Sequence, residues 1–531
     1  MPLVGMATVM ATVMDTATDM AAMTRRRAEP HCLLILLAAC ATGAQAQQGA
    51  AGGTTVQPRI GLTQTWTDNL RLDDSNKDAA LITTVSPGIS MASRSGALRG
   101  SLDYSLNGIY HLKSSEPSRV QNALSANGQA ELISRTLYVD VRATIGQQNL
   151  SAFGTPTAPT LGTQGSVSNL ANANQRETGT LTVSPSLRGV LGGLASYELR
   201  GDFTRTEARG SSLGDSRGTG GSLRLNQLNA GVLSWWAQAS TQRVTAAEAA
   251  ANRNESLRLG LNYRPDPDWL FGASAGQERS NYLGNGRQNG TTAGLNAEWT
   301  PTPRTRVGAD WQHHSYGDTH ALTFEHRMSR SVWRYTDTQT VTLGNTGATG
   351  GVRSNYDQLF LLYASSVPDP VQRDAQVRTD LQRLGLSPDA PAATGFLSNG
   401  PSRLRNQLLG ITLQVPRGSV SAQVSRAVTS RLGNNINQGD LANTSRVEQR
   451  SYTLSASHQL TPLSGLSLTA SRQETTGDAT ARAARLTSLI ASWNSRLGRL
   501  LNGQLGARHS SFQGVTPYTE NAVYGTLTQQ F

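Results

Sequence analysis

Beyond residue 46 the chain contains no cysteine, because Cys32 and Cys40 are its only two. Disulfides and cysteine-ligated metals are therefore excluded from the bulk of the protein. Lysine is nearly absent: Lys77 and Lys113 stand alone, and arginine supplies the rest of the 47 basic residues. Charge is scarce overall, at 16% of residues, and hydrophobic residues reach 37%. Soluble globular chains carry about 25% and roughly 45–50% respectively. Ser, Thr, Gly, Asn and Gln fill the gap, with 53 glycines. Disorder would account for low hydrophobicity, but not for the regular alternation found along the chain. No apolar run spans the roughly 20 residues that a membrane helix needs.

What is present begins with a leader, expected over residues 1–46. Arg25, Arg26 and Arg27 form a basic start, "CLLILLAACA" (32–41) an apolar core, and "AQA" (44–46) a small-residue cleavage site. Translation from Met23 would make 23–46 the signal peptide and 1–22 an upstream stretch. "LAAC" (37–40) offers a second reading, a lipobox with Cys40 lipidated; the later "AQA" favours cleavage before Gln47. Residues 47–55 are then a short tail. The leader's Asp15, Asp19 and Glu29 balance its three arginines, so the remainder keeps the whole net charge of +11.

From residue 56 to 531 the chain reads as hairpins. In "LRLGLNYR" (257–264), Leu257, Leu259, Leu261 and Tyr263 share one face; Arg258, Gly260, Asn262 and Arg264 share the other. "LYVDVRATI" (137–145) and "LLGITLQV" (408–415) alternate in the same way. A period of two marks strands with one apolar and one polar face. Short breaks such as "SR" (134–135), "RPDPD" (264–268), "TPTPR" (300–304), "PRG" (416–418) and "TPLSG" (461–465) alternate with longer polar stretches at 151–175, 208–219, 280–289 and 429–445. Short inner turns and long outer loops are the grammar of a transmembrane β-barrel. A solenoid would show a fixed short repeat, and a sandwich would need a two-sided core. The fold class expected is therefore all-β: an antiparallel outer-membrane barrel of about 22 strands, with 18–22 as the range. The chain ends in "VYGTLTQQF", where Val523, Leu527 and Phe531 lie on one face. A last strand that must pair with the first leaves no polar tail, and these three residues mark it as the terminal assembly strand. Trp269, Trp299, Trp333 and Trp493 all fall near expected short turns, as an interfacial aromatic girdle would. "TVSP" at 84–87 and 182–185 puts a proline late in two strands, which predicts either a bulge or a strand end.

Five segments stand out in order along the chain: "TWTDNLRL" (65–72), "ITTVSPGIS" (82–90), "IGQQNLSAFG" (145–154), "TVSPSLRGVLGGLASYELR" (182–200) and "VPDPVQRDAQVRTDLQRLGL" (367–386). Together they resemble the PEP-CTERM system-associated outer-membrane proteins of exopolysaccharide loci. The resemblance implies a barrel that accompanies polysaccharide and surface-protein export, with no settled biochemical activity. The chain departs from outer-membrane habit at Gln529, where an apolar residue is usual, and in its net positive charge.

The alternation turns Arg99, Arg142, Arg200, Arg224 and Arg258 away from the lipid and into the lumen. A lipid-facing arginine at midplane would cost about 2–4 kcal/mol. Such arginines would attract anions; alternatively Asp103, Asp140, Glu198 and Asp202, on the same faces, pair with them as structural bridges. A helical outer-loop insertion is expected at 344–402, with Asp369 as N-cap, Pro370 at the first helical position and Val377, Leu381 and Leu384 on one apolar face. It would constrict the mouth, dock a partner or cap the rim. His313, His314, His320 and His326 cluster in sequence, but strand parity and spacing separate them, so no metal or other cofactor is expected. The first strand candidate begins about ten residues after the cleavage site, which leaves no room for the plug of a gated nutrient receptor. The leading expectation is a non-enzymatic barrel serving exopolysaccharide or surface-protein export, basic-lined as a conduit. A structural or docking barrel at the cell surface is the second reading, and an outer-membrane enzyme acting on polysaccharide or lipid the third. Expected partners are outer-membrane lipid, the barrel-assembly machinery and acidic exopolysaccharide or export proteins; nucleic acid is not among them.

Overall fold

The computed structural model describes residues 53–531, apart from 95, 113, 115, 158–169, 230, 248, 285, 344–376, 378–394, 434, 435, 437 and 479–482. The chain runs through 22 strands. They begin with β1 (Thr54–Thr67), β2 (Ala80–Arg94), β3 (Leu98–Leu112), β4 (Arg119–Ile133), β5 (Leu137–Asn149), β6 (Gln175–Leu191), β7 (Ala195–Ala208) and β8 (Ser211–Gln227). Next come β9 (Leu233–Ala246), β10 (Asn252–Tyr263), β11 (Trp269–Ser280), β12 (Gln288–Thr302), β13 (Thr305–His313), β14 (Thr319–Arg327) and β15 (Ser331–Thr342). The last are β16 (Ser402–Val415), β17 (Gly418–Arg431), β18 (Arg446–Thr461), β19 (Ser464–Gly477), β20 (Ala483–Arg496), β21 (Leu501–Gln513) and β22 (Tyr518–Gln530). One short helix, α1 (Asp440–Asn443), precedes β18.

Every strand pairs antiparallel with its neighbours in sequence, and β22 pairs with β1 from Arg59↔Gln530 to Thr67↔Ala522. The ring is closed, so no strand edge is left to seek a partner. The five short breaks named from the sequence are all turns. Arg135 and Arg417 take positive φ there, as does the Gly192–Gly193 pair between β6 and β7.

The outward faces carry the apolar residues. Leu257, Leu259 and Leu261 of β10 are each more than half exposed, and the same face continues through Leu295, Leu322, Leu409, Val424, Leu454, Leu489 and Leu527. A contiguous exposed apolar surface of this extent is the signature of a lipid contact. This is a bacterial outer-membrane barrel. A 14-residue strand rises roughly 46 Å along its axis and, tilted about 40°, roughly 35 Å across the membrane, against an apolar band of about 25 Å. The strands therefore extend beyond the lipid.

That extension corrects one boundary. The stretch 208–219 is not a loop: β7 and β8 join through Arg209 and Gly210 alone, with Gly210 at φ 72°, and β8 starts at Ser211. Above the lipid both faces of a strand can be polar, so the alternation that betrays a strand is lost. The prolines give a second correction. β2 and β6 run straight through Pro87 and Pro185, with the same register on either side in β2–β3 and β6–β7. Neither is a bulge or a strand end. Each proline forfeits one ladder hydrogen bond, and the other neighbour's pairing, Ile60↔Pro87 and Val139↔Pro185, holds the strand in line.

Candidate functional site

The inward faces of β3–β10 carry one charged stretch of the lumen wall; a second lies on β12–β15, where Arg306 pairs with Glu298 and Arg327 with Glu325. Arg200 is held between two carboxylates, 3.0 Å from Asp140 on β5 and 3.0 Å from Asp202 on its own strand. Gln129 donates to Asp140 at 2.8 Å, and Ser184 donates to Asp202 at 2.6 Å. This cluster spans β4 to β7 and is the structural bridge that the sequence allowed as an alternative. Asp103 is likewise engaged, but by Arg59 on β1, in a two-pronged pair at 2.6 and 2.7 Å. Gly88, on the intervening strand, makes this reach possible: a Cβ there would sit 3.1 Å from the Arg59 Nε. Glu198 takes Arg188 at 3.3 Å, and that guanidinium lies 5.0 Å over the Tyr138 ring.

The other four arginines have no carboxylate partner among the described residues. Arg224 donates to Asn226 at 3.1 Å and lies 5.2 Å over the Trp236 ring. Arg258 donates to Gln312 across β11 and β12. Arg99 and Arg142 are exposed to the lumen, opposite Gln129 and between Asn127 and Thr182. All four belong to the strands between β3 and β10. Across the ring, the inward faces of β16–β19 carry serine, threonine, glutamine and a few apolar residues, with Arg431 the sole charge and that at the outer end. Hydroxyls there pair strand to strand: Ser419–Ser457 at 2.9 Å, Ser455–Thr469 at 3.2 Å and Ser471–Ser488 at 2.7 Å. The lumen thus has a basic side and a neutral, hydroxylated side.

The outer mouth is covered by loops that fold inward. The described parts of the β5–β6 connection, 150–157 and 170–174, are their hub. Ser151 and the Ala152 amide both donate to Asp440 of α1, at 2.8 and 2.6 Å. The Leu397 amide donates to Asn149 at 3.1 Å, and Asn149 bridges Phe396. Thr155 meets Thr516 at 2.6 Å, and the Tyr518 hydroxyl donates to Pro156 at 2.8 Å. Two apolar clusters consolidate this cover: Ala152, Phe153, Phe396, Ile436, Leu441 and Val447 form one, and the other packs Leu70, Leu170, Phe512 and Tyr518 beside the β22–β1 seam. Asn399 ties the cover to β8, accepting from the Gly214 amide at 2.5 Å. Gly214 needs to be glycine twice over, for its φ of 97° and because a Cβ would come within 2.9 Å of Leu397. In the outer loops beyond β11 and β13, Tyr282 and Tyr316 pack with ring centres 5.0 Å apart, and burial pushes both hydroxyls to higher pKa, with Tyr316 and then Glu278 adding to it at Tyr282 and Glu278 at Tyr316.

The expected helical insertion at 344–402 lies mostly outside the described residues. Within it Val377 is helical and fully buried, and 395–401 enter the mouth cover. Trp269, Trp299, Trp333 and Trp493 sit on the outward face within four residues of short turns; Trp269 and Trp299 are register partners stacked at 5.3 Å. Trp66 and Trp311, also outward, lie near the opposite ends of their strands, an outer pair that the sequence reading passed over. Val523 and Leu527 face outward opposite Trp66 and Leu62 on β1, and Phe531 is half exposed. The histidines go to separate partners: His313 to Asp318, His314 to Glu278, His320 to Asp337 and His326 to Thr305. Among the described residues no three metal-ligating groups converge.

No family model matches the chain, and no curated protein does. Solved structures align with the chain at low similarity. The FrpB iron transporter from Neisseria meningitidis (F5-1 variant) aligns at TM-score 0.47 with 10% identity, over 91% of this chain and 83% of that one. The siderophore receptor PirA from Pseudomonas aeruginosa aligns at TM-score 0.43 with 11% identity, over 91% and 81%. OccK11 (OpdR) from Pseudomonas aeruginosa aligns at TM-score 0.31 with 14% identity, over 92% and 100%.

Proposed function

We propose that this barrel is a non-enzymatic outer-membrane conduit for an acidic, hydroxyl-rich polymer, the exopolysaccharide chemistry that its resemblance to PEP-CTERM-associated barrels suggests. The observation that carries the reading is the four lumen arginines that have no carboxylate partner among the described residues, Arg99, Arg142, Arg224 and Arg258, facing a neutral Ser/Thr wall. Fixed guanidiniums in a pore raise the local concentration of anions. Hydroxyl rows opposite them exchange hydrogen bonds with a hydrated sugar chain and carry no charge to trap it. The same lumen holds Arg200 and Arg59 neutralised, so its basic character comes from specific positions and not from arginine content alone.

The mouth cover favours a second reading, a closed barrel that holds the product or a partner on its outer loops. Conductance across a planar bilayer under a salt gradient separates the two. A conduit gives an anion-selective reversal potential, and Arg99→Gln/Arg142→Gln/Arg258→Gln lowers the anion-to-cation permeability ratio about threefold or more. Unchanged selectivity in that triple variant overturns the basic-conduit reading. Silence in both the wild type and a variant with the cover loosened supports the holding barrel.

A further inference from the structure

The outer wall carries a charge pattern that the lumen does not explain. On β15–β20, the face that is apolar lower down becomes charged toward the outer end. Register partners link one row through six adjacent strands: Asp337↔Gln407, Gln407↔Arg426, Arg426↔Arg450, Arg450↔Glu474 and Glu474↔Arg485. Toward the inner end the row gives way to Leu409, Val424 and Tyr452 on β16–β18, with Arg472 and Thr487 beside them on β19 and β20, and one row further in to Leu454 and Leu489, the apolar residues all exposed. The charged row therefore borders the lipid-facing surface on its outer side.

Six guanidiniums and three carboxylates share this surface. Glu448 is gripped by Arg426 at 2.8 Å, Arg446 at 2.6 Å and Arg450 at 2.8 Å. Glu474 takes Arg472 at 2.6 Å and Arg485 at 3.0 Å, and Asp337 takes Arg405 at 2.6 Å. The carboxylate side chains are largely covered, with Asp337 and Glu448 about 10% exposed, while the six arginines keep between 37% and 51% of their side-chain surface. The acids thus orient the guanidiniums and leave a surplus of three positive charges, with N–H groups facing outward. His320 also binds Asp337, at 3.2 Å.

We propose that this surface binds the phosphate groups of an outer-leaflet lipid headgroup. Arginine presents a planar fork of donors that matches phosphate in two-pronged geometry. Its position at the upper edge of the apolar rows is where a headgroup sits when the acyl chains cover Leu409, Val424 and Leu454. A protein partner would have to displace those chains as well, which makes a lipid the occupant that the two adjoining surfaces fit together. The inference is independent of whether the lumen conducts.

The test uses the mature protein refolded into phosphatidylcholine vesicles doped with diphosphorylated lipid A or with its dephosphorylated form. Two quantities are read: the temperature at which the compact barrel is lost on unheated gels, and the lipid A retained through purification. Wild type should retain the phosphorylated lipid and gain thermal resistance from it. Arg426→Gln/Arg450→Gln/Arg485→Gln should retain about tenfold less and lose the gain, with Arg485→Gln alone as a milder variant should the triple fail to fold. Equal retention of both lipid forms, or equal retention by wild type and variants, overturns the proposal. So does a matching gain from inorganic phosphate alone, which would make the surface a general anion site, or lipid-independent capture of a protein at these arginines.

Discussion

The ion pair between Arg508 and Glu520 should be the costliest charge in the barrel to break. Both side chains are almost fully buried, at 3% and 1% exposure. Arg508 meets both carboxylate oxygens, at 2.6 and 3.0 Å, and Thr67 of β1 donates to the same carboxylate at 3.1 Å. The pair therefore joins β21, β22 and β1 at the closing seam, beneath Phe512 and Tyr518. Removing one partner of a buried pair leaves a desolvated charge without compensation, and this costs about 3–5 kcal/mol. Exposed pairs such as Arg472–Glu474 are worth about 0–1 kcal/mol. Arg508→Ala should thus lower stability by about 3–5 kcal/mol, and Arg472→Ala by less than about 1 kcal/mol.

Replacing both charges is a different perturbation. Arg508→Met/Glu520→Gln leaves no buried charge, and the new amide still accepts from Thr67. Such replacements are often neutral, so most of the single-variant loss should return. The assay is denaturant unfolding of the refolded barrel in lipid vesicles, followed by tryptophan fluorescence; Trp66 sits on β1 opposite Val523 of β22 and reports on the seam. A loss below about 1 kcal/mol in Arg508→Ala would show that water reaches the pair. A double variant as unstable as the single one would show that the charge itself is not the source of the cost.

The cover and its loops give two further expectations. Asp440→Ala removes the acceptor for Ser151 and for the Ala152 amide, so single-channel conductance should increase or flicker relative to wild type; an unchanged trace would mean that the apolar cluster around Phe396 closes the mouth unaided. Asp478 is exposed in the β19–β20 loop, and the Ser445 hydroxyl and amide hold its carboxyl below the usual carboxylate range. A depressed folded pKa makes the contact fully present above the ordinary value of about 3.9 and lost as pH falls through the folded value. The protection factor of the Ser445 amide, its exchange relative to the intrinsic rate at each pH, should therefore stay flat from neutral pH down to the ordinary carboxylate range and then fall, whereas Asp478→Asn should show weaker protection even at neutral pH.

The barrel was legible wherever a strand crosses lipid, because there one face must be apolar and the other need not be. Leu257, Leu259 and Leu261 against Arg258 and Gly260 announce β10, and the short turns fell where polar breaks marked them. The signal fades above the lipid. Asp215, Arg217 and Thr219 face outward into a polar environment, so the start of β8 read as loop. Proline rules misled at Pro87 and Pro185, since a single missing donor inside a closed sheet of 22 strands is a local loss that neighbouring ladders hold in register. Parity assigned the lumen arginines a face, yet parity could not say which had partners. Asp140 and Asp202 reach Arg200, while Arg99 and Arg142 meet no carboxylate among the described residues, and that distinction depends on register between strands far apart in sequence. The mouth cover was beyond reach for the same reason: Ser151 and Asp440 are joined by tertiary folding, and no periodicity connects them.

The same parity rule, carried further, would have exposed the second charged surface. Leu409, Ile411 and Leu413 fix the outward face of β16, and stepping back by twos from Leu409 reaches Gln407 and Arg405. An arginine on the lipid face is forbidden only at membrane depth; one row higher it becomes an asset. Two groups of arginines in the barrel wall differ in the surroundings they face. Those inside on β3–β10 face water in a confined space, where each unpaired charge acts on whatever enters the lumen. Those outside on β16–β20 stand at the edge of the hydrocarbon, where carboxylates on neighbouring strands hold them in place and their free N–H groups face the headgroup layer. Lysine, a compact and strongly hydrated point charge, suits neither position as well as a planar fork that can stack on Trp236 or grip Glu448 with two donors. The near absence of lysine noted at the outset is what such a wall calls for on both of its surfaces.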